Sequence, residues 1–203
     1  MKLTWLGHAC FALEQDGYKI VIDPYTDVVG HADIQTEAHA VLCSHQHFDH
    51  NAVGGVRLLP AGESPFTIRT VAACHDDQGG ALRGPNTIHI LSAGGVTVAH
   101  LGDLGHQLTA EQLEAIGRVD GILVPIGGTY TVDAAGAKQV CDAISPKWVV
   151  PMHYRHGPFG FPVLTEVEDF LSLWPAEQVT RLERAELEIT GSTAGVWVPK
   201  FVK

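Results

Sequence analysis

The sequence is short of the features that mark several large protein classes. Lys and Arg together number 13 against 23 Asp and Glu, a formal net charge of −10 with neutral His. No Lys/Arg run offsets this, so nucleic-acid phosphates and anionic membranes repel the chain overall. Every apolar stretch falls short of the ~20 residues that span a bilayer. The opening Met1-Lys2-Leu3-Thr4-Trp5-Leu6-Gly7-His8 has one Lys, a short apolar run and an early His, which is not the build of a secretory signal. The four cysteines, Cys10, Cys43, Cys74 and Cys141, include no C-x-x-C and suggest no disulfide framework. Together these absences predict a cytoplasmic protein in a reducing compartment. G-x-S-x-G and the P-loop are both missing, which removes the serine-hydrolase and nucleotide-triphosphatase readings.

What is present suits one globular domain over residues 1–203, with 45% hydrophobic and 18% charged residues and no linker or short-period repeat. Residues 3–6, 10–13 and 18–22 read as strands, with Asp16-Gly17 as a hairpin signal. Residues 40–44, 67–74, 87–91, 96–101, 121–126 and 147–151 are further strands, most of them continuous apolar runs. Thr109-Ala110-Glu111-Gln112 has the form of a capping box and predicts a helix to about Gly117. Residues 133–144 place Ala137, Val140, Cys141 and Ile144 on one helical face. A last surface helix is expected over 163–174 and strands within 186–200. Residues 25–38 read as loop, and 51–61 as a short helix with loop.

Histidine is the surplus, with 12 copies. His45-Gln46-His47-Phe48-Asp49-His50 holds three imidazoles and a carboxylate in H-x-H-x-D-H order. These donors suit zinc and neighbouring transition metals. Four of them on one turn exceed what a single ion readily accepts, so two adjacent ions are expected, one taking His45 and His47 and the other Asp49 and His50. Asp23, His45, His75, Asp103 and His153 each follow a predicted strand. Ligand sites gather at the carboxyl ends of strands in α/β sheets, so these five residues suggest one rim.

In these residues the chain resembles the metallo-β-lactamase superfamily, and within it the small UlaG-like branch of metal-dependent hydrolases. The resemblance covers about residues 1–160. It rests on Leu6-Gly7-His8, Ile22-Asp23-Pro24, the H-x-H-x-D-H element, His75, Arg83-Gly84-Pro85-Asn86, Leu101-Gly102-Asp103 and Met152-His153-Tyr154. It implies a four-layer αββα sandwich of class α/β. It also implies one metal on His45, His47 and His75, a second on Asp49, His50 and His153, and Asp103 bridging them. Asp23 would brace the ligand loop by hydrogen bonds, and His8 would line the pocket. Asp49 and Asp103 are the candidate catalytic carboxylates. Zinc is the first expectation, with manganese, iron, nickel or cobalt suited to the same cage.

The expected chemistry is attack by a metal-bound hydroxide on a small-molecule ester, lactone or phosphoester. Arg83, Arg155 and His156 are candidates to meet an anionic group on that substrate, and His106 to reach the site. Nuclease activity is the first rival, disfavoured by the acidic charge and the lack of a basic arm. An iron-dependent redox enzyme of the sulfur dioxygenase kind is the second. A binding module with a closed structural metal is the third, and six or seven ligands across two ions argue against it. His100 alternates with apolar Val96 and Val98 and is expected to be a hydrogen-bonded core residue. His31, His39 and His89 are expected to be ordinary, and Cys43 and Cys74 buried and inert. Short relatives of this kind assemble, so a homo-oligomer is expected, although no interface is legible.

Overall fold

The computed structural model describes residues 1–201. β1 (Lys2–Gly7) pairs antiparallel with β2 (Cys10–Gln15), which turns back on β3 (Tyr18–Ile22). Asp16 and Gly17 at that turn have φ of 51° and 78°, both positive as a two-residue type I′ hairpin requires. β4 (Thr36–Ala38) pairs apart from the main sheets with β6 (Val56–Leu58), while β5 (Ala40–Leu42) runs parallel to β3. β7 (Thr67–Cys74), β8 (Pro85–Ala93) and β9 (Val96–His100) form an antiparallel meander. β10 (Gly121–Pro125) continues it parallel to β9, and β11 (Trp148–Met152) runs parallel to β10. β12 (Val179–Arg181), β13 (Glu186–Glu188) and β14 (Gly195–Val198) complete the strands.

Two sheets result, one in the order β13-β1-β2-β3-β5 and one in the order β12-β14-β11-β10-β9-β8-β7. They face each other across the main core. Phe11, Leu13, Ile20 and Ile22 from the first sheet join Ile88, Ile90, Val98, Leu123 and Val150 from the second. The two-residue alternation of strands explains the split, since Cys10, Ala12 and Val21 point the other way into a second apolar cluster with Tyr25, Val28, Ile34 and Val56. α1 (Ala110–Ile116), α2 (Ala134–Ile144) and α3 (Val167–Leu171) lie with the larger sheet, α1 on β7 and α2 against β10 and α3.

This is the expected α/β sandwich, with one local variation. The outer layer of the smaller sheet contains no α-helix among the described residues. The 24–35 loop and the β4–β6 pair cover that face, as the second apolar cluster records. Residues 51–61 form only a 3₁₀ turn at Val53–Gly55 before β6. The helix expected over 163–174 contracts to five residues, Val167–Leu171, with no side-chain N-cap. The capping box at Thr109 is present with both reciprocal hydrogen bonds.

Strand direction positions the site. β10 is parallel to β9 and β11, and β7 lies two antiparallel steps from β9, so all four run the same way. Their carboxyl ends deliver His75, Asp103 and His153. β3 and β5, parallel to each other, deliver Asp23 and the His45 loop.

Candidate metal centre

Asp23 is the first fixed point. It is fully buried directly after β3, with a left-handed φ of 51°. Its Oδ1 accepts from the Ser44 N–H at 2.6 Å, and its Oδ2 accepts from the Ser44 hydroxyl at 2.6 Å and from His50 Nδ1 at 2.9 Å. Ser44 Oγ has spent its one proton on Asp23, so it accepts from His45 Nδ1 at 2.9 Å. His75 Nδ1 donates to the Tyr130 carbonyl at 3.1 Å. In His45, His50 and His75 the proton therefore sits on Nδ1, and each ring turns Nε2 inward. Imidazole metal ligands are held in this way, by a hydrogen bond from the nitrogen that does not bind.

The inward nitrogens meet at Asp103. Its Oδ2 lies 3.1 Å from His75 Nε2, 3.1 Å from His153 Nε2, 3.2 Å from His50 Nε2 and 4.0 Å from His45 Nε2. His45 Nε2 and His47 Nδ1 are 3.0 Å apart. Two donors at the usual 2.0–2.2 Å from one tetrahedral ion lie about 3.3–3.6 Å apart, only slightly wider than the 3.0–3.2 Å contacts here. His50 Nε2, His153 Nε2 and Asp103 Oδ1 are buried without hydrogen-bond partners. Nitrogen lone pairs converging on a carboxylate repel it unless positive charge lies between them. The residues thus fit divalent cations. Three overlapping donor groups are close enough to share an ion: His45, His47 and His75; His45, His50 and Asp103; and His8, Asp49, His50 and His153.

The charge states follow from this crowding. Burial acts against charge on His50, but Asp103 and Asp23 outweigh it and hold the imidazole well above its ordinary value. Burial likewise opposes the Asp103 carboxylate, and His153 and His50 outweigh it, holding it well below the ordinary range. Asp23 is held at about 2, against its burial, chiefly by His50. Burial, assisted by neighbouring imidazoles, pushes His8 and His45 down to about 3.

A second ring of contacts fixes the ligand loops. His100 Nε2 donates to the Ala9 carbonyl at 2.8 Å, and its Nδ1 accepts from the Gly102 N–H at 3.1 Å. His89, expected to be ordinary, is buried and donates to the Cys43 carbonyl at 3.0 Å. Asn86 spans the Asp103 turn, donating to Leu101 O at 2.9 Å and accepting from Asp103 N at 3.0 Å. Gly102, at φ 55°, passes so close to Asn86 and Ser44 that a Cβ there would collide with both side chains. Asp76 accepts from the backbone N–H groups of Gln78, Gly80, Leu82 and Arg83, shaping the loop that carries Arg83. Sequence reading gave Ser44, Asp76, Asn86 and Tyr130 no role. Ser44 and Asp76 adjoin His45 and His75, Asn86 ends the Arg83-Gly84-Pro85-Asn86 stretch, and Tyr130 follows the Gly127-Gly128 pair; those positions were the available signal.

A cavity of about 350 Å³ opens beside this cluster, lined by His47, Phe48, Asp49, Arg83, Asp103, Tyr130, His153 and Phe161. Arg83 donates to the Thr129 carbonyl at 3.1 Å and lies 5.7 Å from the centre of the Tyr130 ring. Some expectations need correction. His8 does not line the cavity; its side chain is fully buried, 3.3 Å from Asp49 Oδ2. His106 does not reach the cluster, because its Nε2 accepts from the Cys74 backbone N–H at 3.1 Å. Arg155 pairs with Glu166 at 2.8 Å, and neither it nor His156 lines the cavity. Cys43 and Cys74, expected to be buried, are half-buried; the Cys43 thiol donates to Asn51, and burial pushes it up to about 12.

A family model described as the beta-lactamase superfamily domain matches residues 2–153. The chain belongs to the metallo-β-lactamase superfamily. Within that superfamily it falls in the UPF0173 metal-dependent hydrolase family. The member from Carboxydothermus hydrogenoformans is 31% identical over 83% of this chain and 91% of its own length. One from Archaeoglobus fulgidus is 31% identical over 84% of this chain and 89% of its own. The crystal structure of a Thermotoga maritima protein, named as a candidate Zn-dependent hydrolase of the metallo-β-lactamase superfamily, is 36% identical. It covers 99% of both chains with a TM-score of 0.79.

The depressed imidazoles predict how the metal-free protein responds to acid. His8 and His45 ionise at about 3 when folded against 6.5 ordinarily, so the unfolded chain binds more protons between those values and stability falls as pH drops. Asp23, lowered to about 2 from 3.8, adds loss at the acid end of that range. His50, shifted upward, contributes fully below 6.5 and cannot offset this trend. The Tm of chelator-treated protein should therefore decline steadily from pH 6.5 to pH 3. A flat Tm over that window would contradict the assigned charge states.

Proposed function

We propose that the chain is a hydrolase with two divalent metals that cleaves a small-molecule ester, lactone or phosphoester. The observation that carries this reading is the convergence of His45, His50, His75 and His153 Nε2 atoms on Asp103 Oδ2. His45, His47 and His75 would hold one ion, Asp49, His50 and His153 the other, and Asp103 would lie between them. Bound there, the ions would supply Lewis acidity toward the scissile group and make a bound water acidic enough to act as nucleophile near neutral pH. Zinc is the proposed metal, in line with the name given to the Thermotoga maritima relative.

The chain's own residues set what can be cleaved. A cavity of about 350 Å³ is at the small end of ligand pockets, so a metabolite-sized substrate fits and a folded polymer does not. Phe48, Tyr130 and Phe161 give the cavity an apolar wall, and Arg83 is the one Lys or Arg side chain in its lining. That combination suits a substrate with an apolar body and an anionic substituent. Asp49 sits at the cavity wall as an ionised carboxylate, against its burial, through the His8 hydrogen bond and the nearby His50. It is the group placed to exchange a proton with water or a leaving group. The net charge of −10 disfavours a nucleic-acid substrate. Four free cysteines fit a reducing compartment, and the cytoplasm is the proposed location. No helix among the described residues is long and apolar enough to cross a membrane.

The test is a panel of lactones, phosphodiesters and thioesters assayed with metal-loaded protein. Asp49→Ala should lower turnover by about 100-fold or more, the scale on which a lost proton-transfer group acts, with circular dichroism unchanged. A variant with full activity would rule out this mechanism. Arg83→Ala should raise KM for anionic substrates by about 10-fold, the worth of a charge-assisted hydrogen bond, and leave neutral analogues unaffected. An equal effect on both would remove Arg83 from substrate recognition.

A further inference from the structure

His8 lies in the turn between β1 and β2, outside the ligand set that the H-x-H-x-D-H motif and strand ends define. It is a non-glycine residue at φ 51°, a conformation that costs energy and needs the surroundings to hold it. Those surroundings are specific. The His8 carbonyl accepts from Trp5 Nε1 at 3.0 Å and from the His153 backbone N–H at 3.2 Å. Its ring centre is 4.1 Å from that of His153, and its side chain is fully buried.

The proton on the ring can be assigned from geometry. Nε2 is 3.3 Å from Asp49 Oδ2, while Nδ1 is buried with no partner. A proton on Nδ1 would leave a buried donor unsatisfied and set a nitrogen lone pair against a carboxylate. A proton on Nε2 removes both problems. Nε2 therefore donates, and a nitrogen that donates a proton is not a metal ligand, although His8 sits within reach of one with Asp49, His50 and His153.

We propose that His8 is a positioning residue that fixes the Asp49 carboxylate through an Nε2–H···Oδ2 hydrogen bond, holding it toward His50, whose Nε2 lies 3.8 Å from the same oxygen. This rests on the metal-dependent reading above. The device resembles what Asp23 does for His50 with the polarity reversed, since here an imidazole orients a carboxylate. It also couples three segments, because the residue that orients Asp49 is itself tied through its carbonyl to His153.

The test is a cobalt(II) titration of metal-free protein, followed by visible absorption and by metal analysis. Wild type should take two equivalents. His8→Asn tolerates the left-handed backbone, but its amide stops short of the Nε2 position. It should bind the first equivalent normally and the second about 10–100-fold more weakly, the usual cost of losing a group that orients a ligand. His8→Gln, whose amide reaches further, should restore most of that affinity, and it serves as the working variant if the Asn protein does not fold. In an Asp49→Ala background His8→Asn should cause no further loss, since its effect runs through Asp49. Unchanged binding of both equivalents by His8→Asn would overturn the proposal. So would an undiminished loss in the Asp49→Ala background, which would make His8 act directly. Wild type that binds no cobalt would instead remove the metal reading itself.

Discussion

A buried carboxylate surrounded by unprotonated imidazole nitrogens is unstable by itself. Asp103 Oδ2 has three Nε2 atoms within 3.2 Å and a fourth at 4.0 Å, in a setting where little water screens them. Charge of the opposite sign has to be added, as protons or as metal ions. In the metal-free chain His50 is the group best placed to take a proton, between Asp23 and Asp103. With divalent ions the same atoms become ligands. The remaining organisation of the molecule can be understood as the means of holding this arrangement against its own repulsion.

The holding is done at two distances. Close in, Asp23, Ser44 and the Tyr130 carbonyl fix the Nδ1 protons of His50, His45 and His75. Further out, His100 and His89 tie the two sheets together, and Asn86 holds the Asp103 turn to its own sheet. The side chains of Asp23, Ser44, His100 and Asn86 are buried, and their hydrogen bonds offset the cost of desolvation. Left-handed backbone at His8, Asp23 and His153 concentrates strain at the same place. The two-sheet core, with Phe11, Ile20, Ile88 and Leu123 fully buried, supplies the rigidity that makes such strain tolerable.

Much of this was legible in the sequence. Long apolar runs, the Asp16-Gly17 turn and the capping box at Thr109 fixed most strands and α1 by local chemistry. The H-x-H-x-D-H spacing and the polar residues at strand ends pointed to one rim, and the chain brings Asp23, His45, His75, Asp103 and His153 together there. What escaped was set by tertiary context. The three-residue strands β4 and β6 are too short for an alternation pattern. The 163–174 segment has apolar residues at helical spacing but no N-cap, and only five residues form helix. His89 and His106 look alike in sequence, yet one pins the strand before His45 and the other the end of β7. Asp76 belongs to no motif, yet it organises the Arg83 loop by accepting four backbone N–H groups.

The central claim is that this cluster exists to hold two metal ions, and the direct measurement is metal content per chain on freshly purified protein. The stoichiometry should be near two divalent transition metals per chain. A chelator should remove them, with loss of hydrolysis and of thermal stability, and re-addition should restore both. Protein that carries no metal, and gains neither stability nor activity when zinc, manganese, iron, nickel or cobalt is supplied, would contradict the account.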